Sequence, residues 1–75
     1  MTLDQVALEM PVKIVGFTSI DATEIARLSG VGLRTGATVT KLIATPLQDP
    51  VECLVGPQLL ALDRRLLRRI QVEAL

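Results

Sequence analysis

The chain contains no histidine, tryptophan or tyrosine, and it has a single phenylalanine (Phe17) and a single cysteine (Cys53). Each shortage removes a class of chemistry. Without histidine, neither a Ser-His-Asp nor a Cys-His nucleophile system can be built, because the general base is missing. One cysteine and no histidine likewise exclude a tetrahedral Cys/His zinc site within one copy of the chain. A lone cysteine forms no internal disulfide, so nothing here requires an oxidising compartment. With almost no aromatic rings there is no platform on which bases could stack. Eight Lys+Arg balance eight Asp+Glu, whereas affinity for a phosphate backbone comes from accumulated positive charge. No apolar run approaches the roughly 20 residues of a membrane-spanning helix. The first ten residues carry Asp4 and Glu9 but no Lys or Arg, so the positive start of a signal peptide is absent too. These counts point to a cytoplasmic protein with no catalytic residue of its own, no cofactor and no membrane insertion.

What the chain does have is aliphatic bulk. Of its 75 residues, 49% are hydrophobic and the mean hydropathy is +0.47. That is far from the low hydrophobicity and high net charge of disorder. A chain this short buries only about 60% of the surface it exposes when unfolded, which suits one small domain and no second lobe.

Strand signals dominate its length. Val12–Phe17 is short and β-branched, with Pro11 closing off what precedes it. Residues before Pro11 (Leu3, Val6, Met10) read as a short helix or a loose end. One helix is well marked. Asp21 caps it, Glu24 stands at the capping-box position, and Ile20 with Ile25 forms a hydrophobic staple. Leu28 faces the core and Gly30 supplies the stop. Gly30-Val31-Gly32-Leu33-Arg34-Thr35-Gly36 matches neither the P-loop nor the dinucleotide spacing, so its glycines read as positive-φ residues of a tight connection. Thr38–Ala44 is strand-like, and Pro46–Pro50 is a loop with two prolines. Val51–Val55 and Gln58–Leu62 flank Gly56-Pro57 as a hairpin. If those two residues are the turn, Val55 opposes Gln58, Leu54 opposes Leu59, Cys53 opposes Leu60, Glu52 opposes Ala61 and Val51 opposes Leu62. Asp63 caps a helical turn over Arg64–Arg69, and Ile70–Glu73 is the last strand. A single substantial helix cannot supply the crossovers of a parallel sheet, so the elements imply a strongly bent antiparallel barrel. Its predicted core is Ile14, Ile25, Leu28, Val39, Val51, Cys53, Val55, Leu60, Leu62, Ile70 and Val72.

Several of these residues resemble a known family. Arg27-Leu28, Gly32-Leu33, Gly36, Val39, the run Pro46-Leu47-Gln48-Asp49-Pro50, Leu60-Ala61-Leu62 and Ile70-x-Val72 are similar, in order and spacing, to the FeoA family (ferrous iron transport protein A). The resemblance spans about residues 12–73. It implies a mainly β fold: a small SH3-like five-stranded barrel, with an α-helix inserted after the first strand and a helical turn before the last. On that reading, residues 1–75 form one domain, with 1–11 as an N-terminal extension and 12–73 as the barrel. It also implies a cytoplasmic, non-enzymatic protein that assists an FeoB-type membrane GTPase transporter in ferrous iron uptake, peripheral to the inner membrane through that partner. A similar domain ends the iron-dependent repressors of the diphtheria toxin repressor family, but a chain this short has no room for their DNA-binding and metal-sensing domains. Thr35, Gln48 and Asp63 depart from the family pattern, as does the apolar pair Leu66-Leu67.

The candidate functional residues follow from the register and from charge. Cys53 points inward and reads as a small buried hydrophobe rather than a ligand. Any iron site in this chain would have to use carboxylates such as Asp49 and Glu52. They lack a histidine partner, so no metal ligand is assigned. Leu54 and Leu59 oppose each other on the outer face of the hairpin, and Arg64 and Arg68 rim the region; these four are the expected partner contacts. The partner would be the transporter or a second copy, unless residues 1–11 fold back over the leucines. Arg64/Arg68 and Arg65/Arg69 are i, i+4 pairs that repel on a helical turn unless something acidic faces them. Residues 1–33 sum to −2 and residues 34–75 to +2. The alternative is a small SH3-like barrel that binds RNA or a ribosomal particle through the Arg64–Arg69 cluster. The missing aromatics and zero net charge favour a protein partner, and no nucleic acid is expected.

Overall fold

A computed structural model describes residues 1–44, 46 and 49–75. Five antiparallel strands, β1 (Val12–Phe17), β2 (Thr38–Ala44), β3 (Val51–Val55), β4 (Gln58–Leu62) and β5 (Ile70–Ala74), form one sheet in the order β4-β3-β2-β1-β5. The helix α1 (Ala22–Gly30) follows β1, and a single helical turn, α2 (Arg64–Leu67), precedes β5. The fold is mainly β, and its element order is the one expected. The sheet curls around its core but is not closed, since β4 and β5 remain its edges.

Local chemistry accounts for each element. The hairpin adopts the expected register at all five positions, from Val51↔Leu62 to Val55↔Gln58. Gly56 carries the turn at φ +56°. At the start of α1 the Asp21 side chain accepts the Glu24 N–H at 2.8 Å. Glu24 is held by Arg27 at 2.8 Å. The helix ends in a Schellman motif. Leu33 N–H donates to Leu28 O at 2.9 Å and Gly32 N–H to Ser29 O at 3.0 Å. The left-handed residue of that motif is Gly32, at φ +96°, so Gly30 is the last helical residue rather than the stop.

Two β-bulges change which side chains face inward. One leaves Val15 unpaired between Ile14 and Gly16, and the other leaves Leu42 unpaired between Lys41 and Ile43. A one-residue slip exchanges the two faces of a strand. The first bulge sets Phe17 opposite buried Ile70, and the second sets Ile43 opposite exposed Glu52.

The core is aliphatic. Ile14, Leu28, Val39, Val51, Cys53, Val55, Leu62, Ile70 and Val72 are buried as expected. Ile25 and Leu60 are only half-buried. Ile25 lies on the flank of a short helix and Leu60 on an edge strand, so each has neighbours on one side only. Leu3, Val6, Val12, Leu33 and Leu67 are core residues that the sequence pattern did not single out.

Residues 1–11 pack against the barrel. Leu3–Gln5 form a 3-10 turn that places Leu3 in the core with no exposure, and Val6 follows it inward. Val72 N–H donates to Met1 O at 2.9 Å, and Glu9 N–H donates to Lys41 O at 2.6 Å. The segment thus runs from β5 to β2 across one end of the curled sheet. It does not cover Leu54 and Leu59, which stay 37% and 64% exposed. Pro46, Asp49 and Pro50 fall in the expected loop, whereas Leu47 and Gln48 lie outside the described residues.

Candidate functional site

The short helix α2 organises the most polar part of the surface. Four residues cannot form a stable helix alone, so its ends are tied down. Asp63 accepts the Leu66 N–H at 2.8 Å, and Asp49 accepts the Arg64 N–H at 3.0 Å. Leu67 anchors the turn from below at 2% exposure. The loop carboxylate of Asp49 therefore fastens α2 to the β2–β3 connection. Asp63, which departs from the family pattern, is the cap of the same turn.

Two clefts flank α2, and they differ in charge. Arg65 and Arg69 line a cleft of ≈ 350 Å³ together with Asp21, Glu24, Asp63 and Leu66. Three carboxylates share that space with two guanidinium groups. Arg64 and Arg68 line the other, of ≈ 410 Å³, with Lys41 and the aliphatic side chains of Val6, Val51 and Leu67. Asp4 is the carboxylate in its lining, and it accepts the Thr2 hydroxyl. One arginine pair thus faces internal acids. The other faces a third cation.

Lys41 holds that third charge. Its position on the inward side of β2, 8% exposed, comes from strand alternation with Val39. Its ammonium donates to the backbone carbonyl of Asp4 at 3.3 Å. Directly across the ladder sits Cys53, fully buried, its Sγ 3.7 Å from Val51 O. Burial pushes the Cys53 thiol up to about 11, against the lowering effect of the Lys41 charge. It therefore stays protonated at neutral pH, and a protonated thiol is neither a nucleophile nor a ready metal ligand.

The expected partner contacts divide into two places. Leu54 and Leu59 oppose each other on the outer face, and Ile43, 60% exposed, shares that face through the β2 bulge. Leu54 and Leu59 lie toward the Gly56-Pro57 turn and Ile43 toward the other end of β3, whereas Arg64 and Arg68 stand beyond that other end of the hairpin beside residues 4–8. Leu67 does not extend the leucine patch, because it is committed to the core. The sequence reading missed Lys41 and Asp4. A lysine at an inward position of a strand was the available signal for Lys41; nothing comparable marked Asp4. Among the described residues no three His, Cys, Asp or Glu side chains converge as metal ligands.

The FeoA domain model matches residues 1–74. The chain belongs to the FeoA family. FeoA is an accessory family of ferrous iron transport rather than a family of enzymes. Among solved structures, the FeoA protein of Chlorobium tepidum is 27% identical with a TM-score of 0.90, over 100% of this chain and 70% of that one. Iron(II) transport protein A of Clostridium thermocellum is 25% identical with a TM-score of 0.87, over 100% of this chain and 46% of that one. Stenotrophomonas maltophilia FeoA complexed with zinc, described as a prokaryotic SH3 domain protein, is 24% identical with a TM-score of 0.79; 97% of this chain and 89% of that one are covered. No curated protein matches the chain by sequence. The Stenotrophomonas structure gives the sheet its description: an SH3-like fold.

Proposed function

We propose that this FeoA-family chain is a non-enzymatic cytoplasmic accessory protein of bacterial ferrous iron uptake that acts by binding an FeoB-type membrane GTPase transporter. The family match over residues 1–74 carries the reading. The Stenotrophomonas relative, put forward as an activating factor of ferrous iron transport, supports it. Nothing longer than nine residues is helical among the described residues, and no helix is long and apolar enough to cross a membrane. On this reading the protein reaches the membrane through its partner. Leu54 and Leu59 offer an apolar pair that would otherwise stay in water, and Ile43 is exposed on the same face.

The test is association with a purified FeoB-type transporter in detergent, comparing wild type with Leu54→Ser/Leu59→Ser. Both leucines are outward, so the variant should keep the wild-type circular dichroism spectrum. It should bind roughly tenfold more weakly or worse, since burying a leucine is worth about 1.5–3 kcal/mol and tenfold is about 1.4. A folded variant that binds as wild type does would remove the leucines from the interface. A wild-type chain that ignores the transporter would remove the reading itself.

A further inference from the structure

A buried cation normally carries a partner charge, because desolvation without one is costly. Lys41 does not follow that rule. It is 8% exposed, and its ammonium has a backbone carbonyl, Asp4 O at 3.3 Å, as its hydrogen-bond partner. Among the described residues no carboxylate pairs with it. A carbonyl is a dipole and does not neutralise the charge. Methionine would fill much the same volume at this inward position without that cost, and the aliphatic stem alone explains only the burial.

The surroundings repeat the same imbalance. Arg64 and Arg68, one helical turn apart, face the cleft that Lys41 lines. Three cations share this lining with one carboxylate, Asp4, which accepts the Thr2 hydroxyl, so the cleft keeps a net positive charge. Between the cations the wall is aliphatic: Val6, Val51 and Leu67. At ≈ 410 Å³ the cleft falls within the roughly 300–1,000 Å³ of ligand-binding cavities.

We propose that this cleft receives an acidic side chain of the partner protein, an aspartate or glutamate flanked by an aliphatic residue. The carboxylate sits among Lys41, Arg64 and Arg68, and the aliphatic neighbour lies on Val6, Val51 and Leu67. Guanidinium groups bind carboxylates through paired N–H donors, and they do so best where water is partly excluded. A bare inorganic anion would leave the aliphatic wall wet, which is why a peptide carboxylate fits better. This inference rests on the reading above in one respect: the occupant is a protein.

The experiment has two arms. In the first, the 15N-labelled full chain is titrated at constant ionic strength with acetyl-Leu-Glu-Leu-amide, acetyl-Leu-Gln-Leu-amide and sodium phosphate. The Glu peptide should shift the amides of Lys41, Val51 and residues 64–68 at millimolar concentration, with roughly tenfold preference over both other probes. Equal binding of the Gln peptide or of phosphate, or no shift from the Glu peptide, overturns the proposal. In the second arm, the transporter is offered wild type, Lys41→Met and Arg64→Gln/Arg68→Gln, each checked for folding by circular dichroism. Both variants should bind roughly tenfold more weakly or worse. If wild type and both variants bind alike, the cleft is not the receptor, although the accessory role survives. If wild type does not bind, the accessory role fails, and the Glu-peptide titration alone decides whether the cleft takes acidic side chains.

Discussion

The two flanks of α2 begin with the same ingredient and end in opposite electrical settings. Each has two arginines one turn apart, an arrangement that by itself costs about 0.2–0.5 kcal/mol. On one flank Arg65 and Arg69 share a cleft with Asp21, Glu24 and Asp63. On the other, Arg64 and Arg68 share a cleft with Lys41 and one carboxylate. Among the described residues neither Arg65 nor Arg69 forms an ion pair, so the flanks differ in the net charge of their linings: acids outnumber arginines on one, and cations outnumber the carboxylate on the other. The contrast places the two arginine pairs in different electrical surroundings, a distinction that the run Arg64–Arg69 alone does not make.

The harshest way to break this contrast is to remove the anchor common to both flanks. Leu67→Ala should cost about 2–5 kcal/mol, a large share of a small domain's stability, and urea unfolding would measure it. A loss below 1 kcal/mol would mean that α2 is not pinned from below.

A second test approaches Lys41 from behind, through Cys53. A thiol whose folded pKa of about 11 lies above its ordinary 9.0 contributes stability that is fully present below pH 9 and lost as pH rises through about 11. Wild type should therefore lose more stability than Cys53→Ala between pH 8 and pH 11. Lysines titrate in both proteins, so the gap between them is the readout. A gap that does not change with pH would place Cys53 in a wetter environment.

The caps of α2 come next in size. Asp63→Ala and Asp49→Ala each remove a carboxylate from its first-turn amides and should cost about 1 kcal/mol, within about 0.5–2. If Asp49→Ala were silent in thermal melts, the β2–β3 loop would not be what fastens the turn.

How much of this was legible depends on whether the deciding contacts were local. The β3–β4 hairpin could be read because alternation and a two-residue turn fix its register together, and both are written within a dozen residues. The Asp21 and Asp63 caps were legible for the same reason. Bulges at Val15 and Leu42 were not, because a bulge is decided by the partner strand, and so Ile43 gave no sign of turning outward. Leu3 and Val6 were missed because their burial comes from docking across the end of the sheet, to β5 at one side and β2 at the other. Gly32 took the place of Gly30 because the close of α1 depends on where its last hydrogen bonds fall. At the candidate site, Leu54, Leu59, Arg64 and Arg68 were named correctly as surface residues. Their separation into two places, and the third cation between residues 4–8 and α2, required the tertiary arrangement.

The smallest expected effect is also the most direct test of the contrast. Arg64→Gln/Arg68→Gln and Arg65→Gln/Arg69→Gln are matched substitutions on the same turn, compared by urea unfolding at low ionic strength, where surface charge is least screened. Removing Arg64 and Arg68 should leave stability unchanged or raise it by a few tenths of a kcal/mol, since it relieves repulsion with Lys41. Removing Arg65 and Arg69 should lower it by a similar amount, and added salt should shrink both differences. If both pairs shifted stability in the same direction by the same amount, the two flanks would be electrically alike and the distinction between them would be wrong.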